Sequence, residues 1–127
     1  MDTTGDTNII VKQNGKTRLI ESKDVIYIES FGRKAFLHLA NEVIEYYAKI
    51  SQLETQLQPN FFRVHRAYLV NLDYVENYTK REAKMSNQDF VLISKYRFLD
   101  FQNAMRKYAK NTCKTTVKGL KCSKYKE

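Results

Sequence analysis

Apolar and polar residues alternate in short runs along most of the chain, a pattern that is typical of β-strands. The runs at 9–12 and 17–20 flank Asn14-Gly15, and both of these residues tolerate positive φ. This arrangement predicts a tight hairpin. Residues 25–28 form an unbroken apolar run, which predicts a central strand. The other predicted strands are 35–39, 43–47, 61–65 continuing through 68–70, 74–78, 83–86 and 90–93.

Two segments change to helical spacing. The first carries apolar residues three and four positions apart, at Ile50, Leu53 and Leu57. Ser51 with Glu54 fits a capping box, and Pro59 marks the end of this helix. The second helix, over about 96–109, has one apolar face formed by Phe98, Phe101, Met105 and Tyr108. The whole pattern predicts a mainly β fold of many short strands with two short helices.

Length and charge narrow the possible functions. The 127 residues suffice for one domain, and 22 Lys and Arg against 14 Asp and Glu give a net charge of +8. This surplus favours a polyanionic partner, either a nucleic acid or an anionic membrane face. Half of the surplus lies in a lysine-rich tail. We therefore predict a disordered lead over 1–7, a folded domain over 8–110 and a flexible basic tail over 111–127.

Other classes of protein are disfavoured by missing features. No apolar run is long enough to span a bilayer, and the polar N-terminus does not resemble a secretion signal, so we expect a cytoplasmic protein. Cys113 and Cys122 are then expected to be reduced thiols without a metal. The sequence contains no GxSxG, HExxH or CxxC motif and no glycine-rich phosphate loop. We expect no catalytic residues, no cofactor and no enzymatic activity.

The most informative segment is Phe61-Phe62-Arg63-Val64-His65-Arg66-Ala67-Tyr68-Leu69-Val70-Asn71. Alternation directs Phe62 and Val64 inward and Arg63 and His65 outward. This segment resembles the signature of the LytTR family of bacterial DNA-binding domains. The order of the neighbouring segments is similar as well, with Val25 to Ser30 before it and Leu92 to Arg97 after it, so that the resemblance covers about residues 8–110.

The resemblance implies a domain of about ten short strands in several antiparallel sheets. Members of the family insert loops into successive major grooves on one side of bent duplex DNA, often at two direct repeats. Most are output domains of response regulators in two-component systems. The resemblance therefore implies a transcription regulator that binds paired sites and can dimerise on DNA. A receiver domain or a membrane regulator that controls it would lie outside this chain.

Carried over by position, the family's contacts fall on three basic sites. Arg33 and Lys34 lie in the first loop, and Arg66 follows His65 in the second. An Arg at this position can donate two hydrogen bonds to guanine, which is worth roughly 1–3 kcal/mol of discrimination. The third site contains Tyr96 and Arg97 as candidates for base reading. The candidates for phosphate binding are Arg63, Lys80, Arg81 and Lys95.

Several of these residues also have structural interpretations. Arg63 can be an ion-pair partner on the strand surface, His65 can serve as a hydrogen-bonding residue beside the loop, and Tyr96 can pack against the last helix. Two other functions also stay open for the whole chain. One is a basic β domain that binds RNA, which exposed aromatics among lysines would favour. The other is an interaction module that docks an acidic protein.

Overall fold

The structure, a computed structural model, describes residues 8–57 and 60–116, with side chains up to residue 109. Within these ranges, ten strands and two α-helices follow one another. The strands are β1 (Asn8–Gln13), β2 (Lys16–Glu21), β3 (Val25–Phe31), β4 (Lys34–Leu39), β5 (Val43–Tyr47), β6 (Phe61–His65), β7 (Tyr68–Asn71), β8 (Val75–Tyr78), β9 (Glu82–Met85) and β10 (Phe90–Leu92). The helices are α1 (Ile50–Gln56) and α2 (Phe98–Thr116). The predicted mainly β class is confirmed.

The strands form three antiparallel sheets. β1 and β2 make a hairpin, and five strands form the central sheet in the order β5-β4-β3-β7-β6. The third sheet has the order β10-β9-β8. β3 is the middle strand of the central sheet, as its continuous apolar run predicts. Asn14 and Gly15 both have positive φ, 52° and 78°, so the predicted hairpin turn is confirmed.

Two hydrophobic cores lie on opposite faces of the central sheet. The first core packs α1 and the β1–β2 hairpin against one face, with Ile28, Leu37 and Leu69 fully buried. The second core packs α2 and the third sheet against the other face, with Val64, Val70 and Phe101 fully buried. β3 and β7 contribute residues to both cores, which explains their continuous apolar character. Burial of each of these aliphatic side chains stabilises the folded state by about 1.5–3 kcal/mol.

Several predictions of local structure are wrong in detail. Ser51 lies inside α1 and forms no capping box, because the N-cap is Lys49 without a side-chain cap. Residues 68–70 do not continue β6: the chain reverses at 66–67, and β7 runs antiparallel to β6. In the turn between β9 and β10, the residue with positive φ is Gln88. The flanking Asn87 side chain accepts a hydrogen bond from the Asp89 N–H.

The predicted inward face of α2 is confirmed, but the helix is longer than predicted. Phe98, Met105 and Tyr108 pack around Phe101 in the second core, as their spacing predicts. α2 continues to Thr116, beyond the predicted end at 109. The lead 1–7, Pro59 and residues 117–127 with Cys122 lie outside the described residues, as does the side chain of Cys113. Within the described ranges, neither helix combines the length and hydropathy that crossing a bilayer demands.

Candidate nucleic-acid interface

Three connections meet along one edge of the molecule and carry most of the predicted contact residues. They are the β3–β4 turn (32–33), the β6–β7 turn (66–67) and the β10–α2 loop (93–97), which together we call the basic face. Backbone hydrogen bonds tie them to one another. Ser30 N–H donates to Ala67 C=O at 2.8 Å, and Ser94 N–H donates to Val64 C=O at 2.8 Å. The fold thus places segments that are distant in sequence side by side.

The β6–β7 turn holds its backbone rigidly while leaving Arg66 exposed. His65 Nδ1 accepts a hydrogen bond from Ala67 N–H at 3.1 Å, and Arg63 Nη2 donates to the Arg66 carbonyl at 2.8 Å. The structural interpretation of His65 is therefore confirmed. The Arg66 guanidinium extends from a turn whose backbone groups are already paired, so reaching a ligand requires ordering of its side chain alone.

Arg63 lies behind this turn and is only partly exposed. Its Nη1 donates to Glu54 Oε1 of α1 at 3.2 Å, and the two side chains are 24% and 27% exposed. Among the described residues, Arg63 Nε is the one buried side-chain nitrogen or oxygen without a hydrogen-bond partner. Arg63 thus links β6, α1 and the Arg66 carbonyl, and its predicted phosphate contact remains a prediction.

The β10–α2 loop combines one anchored and two exposed side chains. Arg97 Nε donates to the Arg63 carbonyl at 3.0 Å, and its guanidinium lies 5.2 Å from the centre of the Phe62 ring. Tyr96 is 82% exposed, so it does not pack against α2. The ammonium of Lys95 lies 5.3 Å from the centre of the Tyr96 ring. Ser94 Oγ accepts from Tyr96 N–H at 3.2 Å and stabilises the loop.

At the other end of the basic face, Arg33 is exposed in the β3–β4 turn. The turn needs Gly32, whose φ is 65°. Lys34 is the first residue of β4 rather than part of a loop, and its ammonium pairs with Glu45 and lies 5.4 Å from the Tyr47 ring centre. The hydrogen bond with Glu45 raises the pKa of Lys34, so its charge is retained but partly compensated.

Lys80 and Arg81 are both exposed in the β8–β9 turn. Thr79 Oγ1 accepts hydrogen bonds from the N–H groups of Arg81 and Glu82 at 3.2 and 3.3 Å. Ile93 N–H donates to the Arg81 carbonyl at 2.8 Å, which joins this turn to the β10–α2 loop. The two cations therefore flank the basic face.

Two shallow clefts run across the basic face and share Arg63. The first, of about 300 Å³, is lined by Glu54, Arg63, His65, Arg66, Ser94, Tyr96 and Arg97. The second, of about 650 Å³, contains Arg33 with Lys49 and Gln52 at the start of α1. Lys49 and Gln52 were not predicted from the sequence. A cation directly before a predicted helix was the available signal, but the incorrect capping box obscured it.

The chain matches known proteins both in sequence and in fold. The model of the LytTr DNA-binding domain family matches residues 15–106. The chain belongs to this family, and the predicted family resemblance is confirmed. A LytTr DNA-binding domain from Bacillus cereus has the same fold, with a TM-score of 0.68 and 19% identity over 80% of this chain and 98% of that one.

Longer regulators contain similar segments. Transcriptional regulatory protein NatR of Bacillus subtilis is 26% identical over 109 residues, which are 80% of this chain and 47% of NatR. The CO-responsive transcriptional regulator RcoM of Rhodospirillum rubrum is 35% identical over 53% of the chain and 29% of RcoM. Accessory gene regulator protein A of Staphylococcus aureus is 29% identical over 58% of the chain and 32% of that protein. The chain thus spans less than half the length of each of these relatives.

Proposed function

We propose that this chain binds duplex DNA in a sequence-dependent manner as the output domain of a bacterial transcription regulator. The observation that carries the proposal is the exposed Arg66 on a turn held by His65 and Arg63. A guanidinium presented in this way can reach O6 and N7 of a guanine in the major groove. Membership of the LytTr DNA-binding domain family supports duplex DNA as the ligand.

Residues on and beside the basic face have two roles, base reading and phosphate binding. Arg33, Arg66 and Tyr96 extend from three adjacent connections and read base edges in successive major grooves, while the anchored Arg97 sets the position of the loop. Lys80, Arg81 and Lys95 neutralise phosphates beside them, which positions the domain without reading sequence. Lys34 attracts DNA phosphates less strongly than an unpaired lysine would, because its ammonium pairs with Glu45. Bending of the duplex allows turns on one side of the molecule to contact two grooves.

The regulator as a whole is proposed by analogy with its relatives. NatR and RcoM are transcriptional regulators in which the similar segment makes up less than half of the chain. We propose that a separate receiver domain or membrane partner controls the activity of this domain. Two copies would then occupy paired direct repeats, with dimerisation on DNA.

Selection of binding sites from random duplexes, followed by mobility shifts with heparin as competitor, tests the proposal. We expect selected duplexes to stay bound at heparin concentrations that displace unselected ones. If about six phosphates are contacted, log K should fall against log salt with a slope near −5. A slope near zero, equal binding of all duplexes, or tighter binding of single-stranded RNA of the same length would overturn it.

A further inference from the structure

Phe31 is a large apolar side chain at an unexpected place. It is the last residue of β3, directly before the β3–β4 turn, and is 75% exposed. It belongs to neither hydrophobic core. On β4 its cross-strand partner is Lys34. The fold therefore gains little from this phenyl ring, which is presented to solvent on the edge that carries the basic face.

The strand register brings the end of β3 to the β6–β7 turn. β3 and β7 pair antiparallel, with Tyr27 opposite Val70 and Glu29 opposite Tyr68. The hydrogen bond from Ser30 N–H to Ala67 C=O extends this ladder by one residue. One residue beyond this hydrogen bond, β3 ends at Phe31, and the β6–β7 turn contains Arg66. The exposed apolar ring and the exposed guanidinium thus belong to two segments that the Ser30–Ala67 hydrogen bond joins.

The major groove offers these two groups different partners. A guanidinium finds hydrogen-bond acceptors on guanine, whereas a phenyl ring finds one apolar group there, the C5-methyl of thymine. Water is released when the two apolar surfaces meet, and this gain does not depend on charge. Phosphates and sugars offer no comparable apolar partner, so the ring is suited to a base rather than to the backbone.

We propose that Phe31 is a specificity-determining residue that contacts the C5-methyl of a thymine adjacent to the base pair read by Arg66. This inference rests on the proposed function and adds to it the chemistry of one base position. The bound sites should therefore contain a thymine at a fixed distance from the guanine that Arg66 contacts. That preference arises from the methyl group alone.

Replacing thymine by deoxyuridine tests this directly, because only the methyl group is lost. In a selected duplex, each thymine is replaced in turn, and binding is measured for the native chain, Phe31→Ala and Phe31→Leu. We expect one position at which the native chain binds the deoxyuridine duplex roughly threefold to fivefold more weakly, as for one buried methyl group. Phe31→Ala should bind both duplexes equally, and Phe31→Leu should retain part of the difference.

Leu19→Ala is the matched control, because Leu19 is 65% exposed on the β1–β2 hairpin, away from the basic face. It should keep the full deoxyuridine effect. A methyl effect that persists undiminished in Phe31→Ala, or its absence at every thymine, overturns the inference while selective DNA binding stands. If the native chain does not discriminate among unmodified duplexes, the proposed function fails and this inference fails with it. Circular dichroism checks that each variant is folded.

Discussion

Within the segment 61–71, most side chains serve the fold. Phe61 and Leu69 are buried in the first core, and Val64 and Val70 are buried in the second. Arg66 is the one residue of this segment whose side chain is classed as exposed. A sequence signature that predicts DNA binding is therefore built largely from residues that are buried in the two cores or hold the turn, and the proposed base contact rests on Arg66.

Arg66→Ala should remove the base preference at the position that Arg66 reads while leaving the fold intact. The side chain is exposed, and the turn depends on the backbone of residue 66 rather than on its guanidinium. Site selection with the variant should lose the base preference at one position of the operator, at a cost of roughly 1–3 kcal/mol on the native site. Arg18→Ala, which removes the same charge from the hairpin sheet, should keep the preference. Unchanged selectivity of the Arg66 variant would contradict its assignment as a base-reading residue.

Asn71 has a structural role although it belongs to the signature. It is 1% exposed, its Nδ2 donates to the Val25 carbonyl at 3.0 Å, and its Oδ1 accepts from Asp73 N–H at 3.0 Å. Asn71→Ala leaves a buried carbonyl and a backbone N–H without these partners and should lower the free energy of unfolding by about 2 kcal/mol. Urea denaturation measures the loss. The exposed Asn77→Ala serves as its control, and a loss as small as in that variant would argue against the assigned role.

At the scale of elements, two connections of the basic face and the flanking β8–β9 turn are held by local side-chain acceptors. His65, Thr79 and Ser94 each accept a backbone N–H from within their own turn or loop. The backbone is therefore ordered before any ligand binds, and binding does not require folding of these segments. Rigid turns favour recognition because less conformational entropy is lost on association.

The β8–β9 turn should contribute affinity without selectivity. Lys80→Ala combined with Arg81→Ala removes two exposed cations from a turn whose backbone is fixed by Thr79. We expect weaker binding to all duplexes by a similar factor, with the salt slope less steep by about 2. Titrations of selected and unselected duplexes at several salt concentrations measure both quantities. A loss confined to one operator would instead indicate that these residues read bases.

The elements themselves were largely predictable because alternation and helical spacing are local properties. The start of α1 was not: Ser51 and Glu54 satisfy the spacing of a capping box, yet the chain enters the helix two residues earlier, at Lys49. Packing of Ile50 and Leu53 into the first core outweighs the gain from a cap. The reversal at 66–67 was also missed as a strand boundary, since neither Arg66 nor Ala67 is a typical turn residue.

At the scale of the whole molecule, two cores share the central sheet, and a polar contact joins that sheet to the third sheet. Tyr27 of β3 donates its hydroxyl to Asp89 Oδ2 in the β9–β10 turn at 3.0 Å and stacks on His38 with ring centres 4.1 Å apart. Burial, with this hydrogen bond and the nearby carboxylates, raises the pKa of Tyr27. The neutral phenol of Tyr27 thus donates a hydrogen bond that joins the central and third sheets.

Alkaline pH should destabilise the domain through its buried tyrosines. Burial raises the pKa of Tyr46 in the first core to about 12, against about 10 in the unfolded chain. The stabilisation from the neutral phenol is complete below pH 10 and is lost as the pH rises from about 10 to about 12. Urea denaturation between pH 9 and 12 should show a smaller decline of the free energy of unfolding for Tyr46→Phe.

Tyr27, whose pKa is also raised, is unchanged in Tyr46→Phe. Part of the alkaline decline in the free energy of unfolding should therefore persist in that variant. Tyr47→Phe is the matched control, because Tyr47 neighbours Tyr46 and is 73% exposed. It should follow the native chain. Equal declines for all three proteins would show that ionisation of Tyr46 does not contribute.

The sequence by itself determined the mainly β class, the succession of strands along the chain, the inward faces of both helices and the family. These follow from local periodicity and from one contiguous segment. Only the tertiary structure decided which cations stand free, because pairing of Arg63 with Glu54 and of Lys34 with Glu45 joins separate elements. That β3 ends next to the β6–β7 turn likewise depends on the register between β3 and β7, a long-range pairing that no local pattern encodes.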